Sequence, residues 1–266
     1  MAIPDRVFPV FIKKKWRGKS RLFNLLVKLG FRKIFTFNAK YGLQLNLSPN
    51  EYIDNIIVRE GFYESEVTDE ILLAMRHGGT LWDIGANIGI HSIAVKKQIP
   101  NVTVYSFEPN PKTLGQLHEN ALLNEAKINV CGFALHEQAS VMALYITEGN
   151  SGMTTLVPAG GYNSTVQCLT VTGDFLLAQG FEQPTVIKLD TEGSELSILR
   201  GCNQVLADPR LKLILFEAYN DLLEDEKNEI LILLKYFGFD QIQKLVRAEQ
   251  SQHDLSNFTA TRLQNL

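Results

Sequence analysis

Short apolar segments alternate with segments of helical periodicity along most of the chain beyond Thr80. Each apolar segment spans a few residues and is followed by apolar positions three or four apart, a pattern typical of strands alternating with helices. This alternation predicts an α/β fold, a parallel sheet with helices on both faces. The predicted strands lie at residues 80–84, 102–107, 128–135, 185–190 and 211–218, and the predicted helices lie at residues 89–98, 110–124, 194–206 and 224–236.

Two regions depart from this alternation. Residues 140–171 are rich in β-forming side chains, which predicts an extra strand pair or an elaborated crossover. We expect Gly238 to end the last long helix, and the segments at 240–246 and 257–262 to form two final strands. Towards the N-terminus the pattern predicts a basic amphipathic helix at 20–30, a β-hairpin at 35–47, a helix beginning at Ser48-Pro49 and a helix at 66–75.

Composition fits one folded domain, residues 61–266, preceded by an N-terminal extension, residues 1–60. The 266 residues are 45% hydrophobic and 21% charged, which suffices for a core without a disulfide or metal. The three cysteines form no CxxC pair, which argues against a disulfide framework or zinc ribbon and indicates a reducing, cytoplasmic compartment. No segment approaches the ~18 apolar residues of a membrane span, and the N-terminus lacks the order of a signal peptide.

The formal net charge of −3 conceals a strong asymmetry. Residues 1–50 contain eleven basic residues and one acidic residue, a net charge of +10, whereas the other 216 residues carry −13. Three interpretations stay open: a solvated cationic arm, a peripheral contact with the inner membrane face, or a nucleic-acid contact. The acidic remainder disfavours a nucleic-acid partner, and the sequence leaves the oligomeric state open.

A glycine loop follows the first predicted strand of the main domain. Asp83 is near the end of that strand, and Gly85 and Gly89 permit a tight turn into the next helix and close approach of a ligand. In a parallel sheet ligands bind at the carboxyl ends of the strands, which is where this loop falls. The loop therefore predicts a binding site.

A second acidic residue, Glu108, lies 25 residues after Asp83 at the end of the next predicted strand. Its carboxylate suits a ribose diol, which leaves dinucleotides and S-adenosylmethionine as candidate cofactors. A dinucleotide fingerprint needs a middle glycine, but Asn87 occupies that position, and Asp83 would repel a pyrophosphate. Because Asp83 suits the ammonium group of a methionine moiety, the loop favours S-adenosylmethionine.

Charged residues also cluster after the predicted strand at 185–190. A helix start with Ser194 as N-cap explains Ser194 itself and the acidic residues beside it. It does not explain Lys188 and Asp190, which flank an apolar position on the strand. We therefore predict functional roles for Lys188, Asp190 and Glu192.

Together these motifs resemble the FkbM family of S-adenosylmethionine-dependent methyltransferases, over about residues 61–201. The segments that carry the resemblance are TLWDIGANIGIHS, VYSFEPNPKTLGQLHENALLN, VTGDF and VIKLDTEGSELSILRG. The resemblance implies a Rossmann-like seven-stranded sheet whose last strand is antiparallel, and methyl transfer to a hydroxyl of a sugar, glycan, glycolipid or polyketide. The cofactor-binding residues that it implies are Tyr63, Glu64, Asp83, Gly85, Ala86, Asn87, Gly89, Ser92, Glu108, Pro109, Asn110, Ala134 and Asp190. It also implies that the segment 150–155 lies near the acceptor.

The expected chemistry requires removal of a proton from the acceptor hydroxyl. Asp190 or Glu192 is the predicted base, with Lys188 tuning its charge. His91 is an alternative base, although it is at least as well explained as a polar residue of the helix with no catalytic role. In a metal-assisted variant Asp190 and Glu217 would hold a divalent ion. Two other functions stay open, an RNA methyltransferase and a non-catalytic domain that binds S-adenosylmethionine.

Overall fold

The structure is a computed structural model that describes residues 34–48, 50–158, 160–225, 227–245 and 255–262. The strands of this part are β1 (Phe35–Asn38), β2 (Gln44–Leu47), β3 (Thr80–Ile84), β4 (Thr103–Phe107), β5 (Asn129–Cys131), β6 (Ala134–Leu135), β7 (Ser140–Ile146), β8 (Ser164–Val171), β9 (Val186–Leu189), β10 (Leu213–Tyr219), β11 (Gln241–Lys244) and β12 (Leu255–Thr261). Its α-helices are α1 (Tyr52–Glu60), α2 (Ser65–Ala74), α3 (Ile90–Gln98), α4 (Pro111–Leu123), α5 (Gly173–Ala178), α6 (Glu195–Arg200), α7 (Asn203–Ala207) and α8 (Glu229–Tyr236). No helix among the described residues is long and apolar enough to cross a membrane.

A seven-stranded sheet forms the centre of the protein. Its strand order is β11-β12-β10-β9-β3-β4-β5, and β5, β4, β3, β9 and β10 run parallel to one another. β12 is antiparallel to both of its neighbours, β10 and β11. The predicted α/β sheet with an antiparallel last strand is confirmed. Its parallel strands bring the ends of β3, β4, β9 and β10 to one edge.

Alternate residues of the central strands point into separate cores on the two faces of the sheet. On one face Trp82 belongs to a buried cluster with Leu176 and Leu199, which come from α5 and α6. On the other face Leu81 is buried in a cluster with Ile71 and Val95, from α2 and α3. Because both faces are covered by helices, the central strands consist almost wholly of buried residues, as the apolar runs indicate.

The predicted strand pair at 140–171 is confirmed as β7 and β8, which pair along their whole length. With β6 they form a separate three-stranded sheet. The predicted strand at 128–135 therefore divides into β5, in the main sheet, and β6, in this smaller sheet. The smaller sheet stands beside the carboxyl edge of the main sheet, since β6 follows directly from β5.

The hairpin β1–β2 and helix α1 pack against the main domain. Leu45 and Ile57 share a buried cluster with Ile88 and Ile93. The division into an extension and a domain at residue 60 stays a prediction. The predicted helix at 20–30 lies outside the described residues, as do residues 1–33 of the basic N-terminal segment and ten of its eleven basic residues.

Three predicted helix boundaries are wrong. Helix α1 begins at Tyr52 rather than at Pro49, because its N-cap residue, Glu51, has an extended backbone (φ −97°, ψ 136°). The predicted helix at 194–206 divides at Gly201, where a Cβ would lie 2.3 Å from the His136 carbonyl oxygen. Helix α8 begins after the N-cap Asn228, whose side chain accepts from the Ile230 amide.

Candidate active site

A cleft lies at the carboxyl ends of β3, β4, β9 and β10. The cleft has a volume of about 930 Å³, part of which is open to solvent. The walls are formed by the loops after these strands, by the start of α3 and by one segment of the smaller sheet. The location agrees with the rule that parallel sheets bind ligands at strand ends. Predicted site residues that line the cleft are Tyr63, Gly85, Ala86, Asn87, Glu108, Pro109, Ala134, Lys188, Asp190, Glu192 and Glu217.

The loop after β3 is fixed against two neighbouring strands. The amides of Gly85 and Ala86 both donate 3.0 Å hydrogen bonds to the Phe107 carbonyl oxygen at the end of β4. Gly85 has a φ of +77°, and a Cβ there would lie 1.8 Å from the Asp190 carbonyl oxygen. Only glycine fits this position, because the β3 and β9 backbones approach so closely. Gly89, with a φ of +85°, is the N-cap of α3.

Glu108 is held rigidly at the end of β4. Its Oε2 accepts from the Asn87 amide and its Oε1 accepts from the Asn110 amide, each at 2.9 Å. Burial nevertheless raises the pKa of Glu108 to about 7, because these two hydrogen bonds only partly offset its desolvation. Asn110 is buried and caps α4, its Oδ1 accepting from the Lys112 amide. The carboxylate thus faces the cleft in a fixed orientation.

Lys188 joins two acidic residues beneath the loop. Its side chain is only 4% exposed, and its Nζ lies 3.4 Å from Asp83 Oδ1 and 3.2 Å from Asp190 Oδ2. The ammonium also donates a 3.1 Å hydrogen bond to the Gly85 carbonyl oxygen. Burial opposes its charge, but Asp190, Asp83 and Glu64 outweigh this and raise the pKa of Lys188. Lys188 is therefore charged and binds the strand ends together.

Asp83 and Ser92 lie behind the cleft wall. Asp83 is fully buried, and its Oδ2 accepts a 2.6 Å hydrogen bond from Ser92 Oγ. Ser92 in turn accepts from Ser106 Oγ at 2.7 Å. In this arrangement Asp83 faces Lys188 and Ser92. The predicted contacts of Asp83 and Ser92 with a cofactor stay predictions.

Three carboxylates meet at the open end of the cleft. One oxygen each of Asp190, Glu192 and Glu217 lies within 4.8 Å of the other two. Burial, together with Asp190, Glu195 and Glu64, raises the pKa of Glu192 to about 7. Glu64, the N-cap residue of α2, has a left-handed backbone conformation, and its charge acts on both Lys188 and Glu192. This end of the cleft can hold a proton near neutral pH.

His91 lines the cleft but is a poor proton acceptor. Its ring is buried, and its Nδ1 lies 2.7 Å from Thr68 Oγ1. Burial and the charge of Lys188 lower the pKa of His91 to about 3. The imidazole is therefore neutral and too weakly basic to take a proton from a hydroxyl.

The cleft is roofed by a segment that we call the strap, residues 149–155. Ser151, Gly152, Thr154 and Thr155 of the strap line the cleft. Family resemblance alone places this segment near the acceptor, and Glu51, whose side chain contacts the strap at Ser151, is not among the predicted site residues. Sequence spacing contains no signal for a contact between residues 100 positions apart.

Comparison with known proteins agrees with this geometry. The family model of the methyltransferase FkbM domain matches residues 83–243, more than half of the chain. Hexuronic acid methyltransferase AglP of Haloferax volcanii is 28% identical over 156 residues, which cover 58% of this chain and 63% of AglP.

Two further relatives align over a larger share of their own length. The 31-O-demethyl-FK506 methyltransferase FkbM of Streptomyces tacrolimicus is 26% identical over 62% of this chain and 74% of that protein. Methyltransferase sdnD of Sordaria araneosa is 28% identical over 68% of this chain and 80% of sdnD. The family match and the acidic cleft at the strand ends lead to one conclusion: the chain belongs to the FkbM family of methyltransferases.

Proposed function

We propose that the protein is an S-adenosylmethionine-dependent O-methyltransferase that acts on a hydroxyl of a sugar, a glycan, a glycolipid or a polyketide-type compound. One observation supports the donor above all: among the described residues, Glu108, Asp190, Glu192 and Glu217 line the cleft and Lys188 is the one basic lining residue. A cleft with this excess of negative charge suits a cationic ligand. S-adenosylmethionine has both a sulfonium and an ammonium group, and it supplies a methyl group activated by the sulfonium.

The residues of the cleft suit the separate parts of this donor. The fixed carboxylate of Glu108 would accept hydrogen bonds from the ribose hydroxyls. Ala134 and Pro109 offer apolar walls for the adenine ring. The loop from Gly85 to Asn87 brings the backbone close enough to hold the methionine part.

Glu192 is the proposed proton acceptor, with Asp190 orienting the acceptor hydroxyl. Asp190 is held by Lys188 at 3.2 Å, whereas no cation pairs with Glu192 among the ion pairs of the described residues. With a pKa of about 7, Glu192 is a stronger base than an ordinary carboxylate and is still substantially ionised at neutral pH. Lys188 pairs with Asp190 and Asp83, but Asp190 still repels the ionised Glu192 and helps to raise its pKa.

A divalent cation is the alternative partner of the three clustered carboxylates. Oxygen ligands at this spacing suit Mg²⁺ or Ca²⁺. Activity in excess chelator separates the two roles: full activity excludes the cation, and loss restored by Mg²⁺ excludes Glu192 as a free base.

The relatives support the acceptor class. The names of two of them specify a hexuronic acid and a demethylated FK506 as substrates. We further propose that the basic N-terminal segment contacts anionic membrane lipids, which would suit a lipid-linked acceptor.

Transfer of radioactive methyl groups from S-adenosylmethionine into separated polar-lipid, glycan, small-molecule and RNA fractions tests the function. We expect the label in a hydroxylated acceptor. The label should survive treatment with alkali, because a methyl ether is stable to alkali whereas a methyl ester is hydrolysed. Label in RNA would contradict the proposal, and binding of the donor without any transfer would indicate a non-catalytic domain.

Two variants test the assigned roles. Glu192→Gln is expected to lower kcat about 100-fold or more, because a general base contributes at least that much. Asp190→Ala is expected to abolish turnover while donor binding, measured by calorimetry, is weakened but still detectable. Unchanged turnover in either variant removes that residue from the mechanism.

A further inference from the structure

We propose that Glu51 is a positioning residue that fastens the strap over the donor cleft. The inference rests on the proposed function, since it concerns how the donor is retained. Glu51 is 5% exposed and lies just before α1, far from the cleft in sequence. Its Oε2 accepts a 3.1 Å hydrogen bond from the Ser151 amide, in the middle of the strap.

Burial of a carboxylate costs its hydration energy unless hydrogen bonds or an ion pair replace the lost water, and Glu51 has both. Its Oε1 accepts a 2.6 Å hydrogen bond from Lys112 Nζ, at the start of α4. The Lys112 side chain is 72% exposed, so solvent weakens this ion pair. The bond to the Ser151 amide is part-buried and charge-assisted, and it is the bond by which the Glu51 side chain holds the strap.

The neighbouring backbone reinforces the same contact. The Tyr52 amide donates a 2.9 Å hydrogen bond to the Gly149 carbonyl oxygen at the first residue of the strap. At Gly152 a Cβ would lie 2.9 Å from Ile53 Cδ1, so the strap lies flat against the start of α1. The start of α1 thus serves as a platform for the strap.

On its other side the strap contacts three parts of the cleft. Ser151 Oγ donates to Asn87 Oδ1 at 3.3 Å, in the glycine loop. Asn110 Nδ2 donates to Thr154 Oγ1 at 3.3 Å, beside Glu108. Thr155 Oγ1 donates to the Glu192 carbonyl oxygen at 2.8 Å. A strap held by Glu51 therefore covers the loop, the ribose carboxylate and the acceptor end together.

The fastening has a kinetic consequence. The strap spans residues that hold the donor, so its release from Glu51 would open a path for the donor to leave. Loss of the Glu51 contact should therefore increase donor dissociation much more than it slows the chemical step. A purely structural role would instead lower kcat and donor affinity together.

Glu51→Gln tests the inference, because glutamine keeps the size and removes the charge. We expect the dissociation rate of S-adenosylmethionine to rise about tenfold, as loss of a charge-assisted hydrogen bond implies, with kcat at saturating donor within about twofold. The matched control is Glu148→Gln, the same change at an exposed side chain next to the strap, which should leave the rate unchanged.

Hydrogen exchange gives a second readout that does not depend on the folding of a variant. In the wild-type protein, S-adenosylmethionine should slow exchange of the strap amides by at least about tenfold, while the β1–β2 hairpin amides change little. Unchanged strap exchange, or equal dissociation rates in wild type and Glu51→Gln, would overturn the inference. A wild-type protein that binds no S-adenosylmethionine would instead overturn the proposed function, and the strap inference with it.

Discussion

Glu108 shows how burial prepares a side chain for a ligand. Its carboxylate is enclosed and bonded to two backbone amides, yet its pKa is raised to about 7. Its acidic type and its position at a strand end were readable from the sequence. The raised pKa was not, because it depends on how much protein surrounds the carboxylate in three dimensions.

This pKa predicts that donor binding depends on pH. The ionised carboxylate can accept both ribose protons, so affinity for S-adenosylmethionine should rise as the pH passes upward through about 7. Glu108→Gln should bind about tenfold more weakly at pH 8 and show a smaller pH dependence than the wild type, because Glu192 in the same cleft also titrates near pH 7. Calorimetry at pH 6 and pH 8 measures both effects. A variant that retains the wild-type pH dependence would show that another group titrates.

Asp54 predicts a pH dependence of stability rather than of binding. Burial raises its pKa to about 7, although the Ser48 amide and Gln116 Nε2 donate hydrogen bonds to its Oδ2. The pKa of Asp54 is higher in the folded state than in the unfolded state. The contribution of the protonated Asp54 carboxyl to the free energy of unfolding is therefore complete below about pH 4 and is lost as the pH rises through about 7.

Asp54→Asn removes this titration while keeping a carbonyl acceptor for the Ser48 amide. Relative to the variant, the wild-type protein should lose a few kcal/mol of unfolding free energy between about pH 4 and pH 7. Urea denaturation across this range measures the difference, with the exposed Asp240→Asn as control. If the unfolding free energies of wild type and Asp54→Asn differed by the same amount at every pH, the titration would not belong to Asp54.

At the scale of elements, the glycine loop and the strap illustrate different degrees of predictability. The loop is a local signal, since a strand, two glycines and a helix follow one another in sequence. The strap is fixed by contacts with Glu51, Asn87 and Glu192, which come from three distant elements. Tertiary contacts of this kind leave no periodicity to read. The same reason explains the break after α6, where Gly201 meets the His136 carbonyl oxygen.

The close approach of β3 and β9 yields a prediction about two glycines. Gly85→Ala would place a Cβ 1.8 Å from the Asp190 carbonyl oxygen, so the two strand ends would have to separate. We expect donor binding to be lost and the melting temperature to fall. Gly115 lies in the interior of α4, and a Cβ added there would have no neighbouring atom within 4 Å. Gly115→Ala should therefore stabilise the folded protein by roughly 0.5–1 kcal/mol. Thermal unfolding and calorimetry of both variants provide the comparison, and full binding by Gly85→Ala would contradict it.

For the whole molecule, alternation of strands and helices was sufficient to predict the class of the sheet and its covered faces. The order β11-β12-β10-β9-β3-β4-β5 follows from long-range pairing, and the antiparallel last strand was expected only from family resemblance. Net charge is likewise a property of the whole chain, and it leads to a prediction about location rather than fold.

The +10 charge of residues 1–50 opposes −13 on the rest, so an anionic surface should attract one end of the chain and repel the other. Each basic residue near such a surface contributes about 1 kcal/mol, which salt weakens. The full chain should therefore float with phosphatidylserine vesicles at low salt, and much less with zwitterionic vesicles or at high salt. Deletion of residues 1–20 removes six of the eleven basic residues and should markedly weaken flotation without changing turnover of a water-soluble acceptor. Equal flotation of the two forms would eliminate the membrane role, because the charge that should attract the protein would then have no effect.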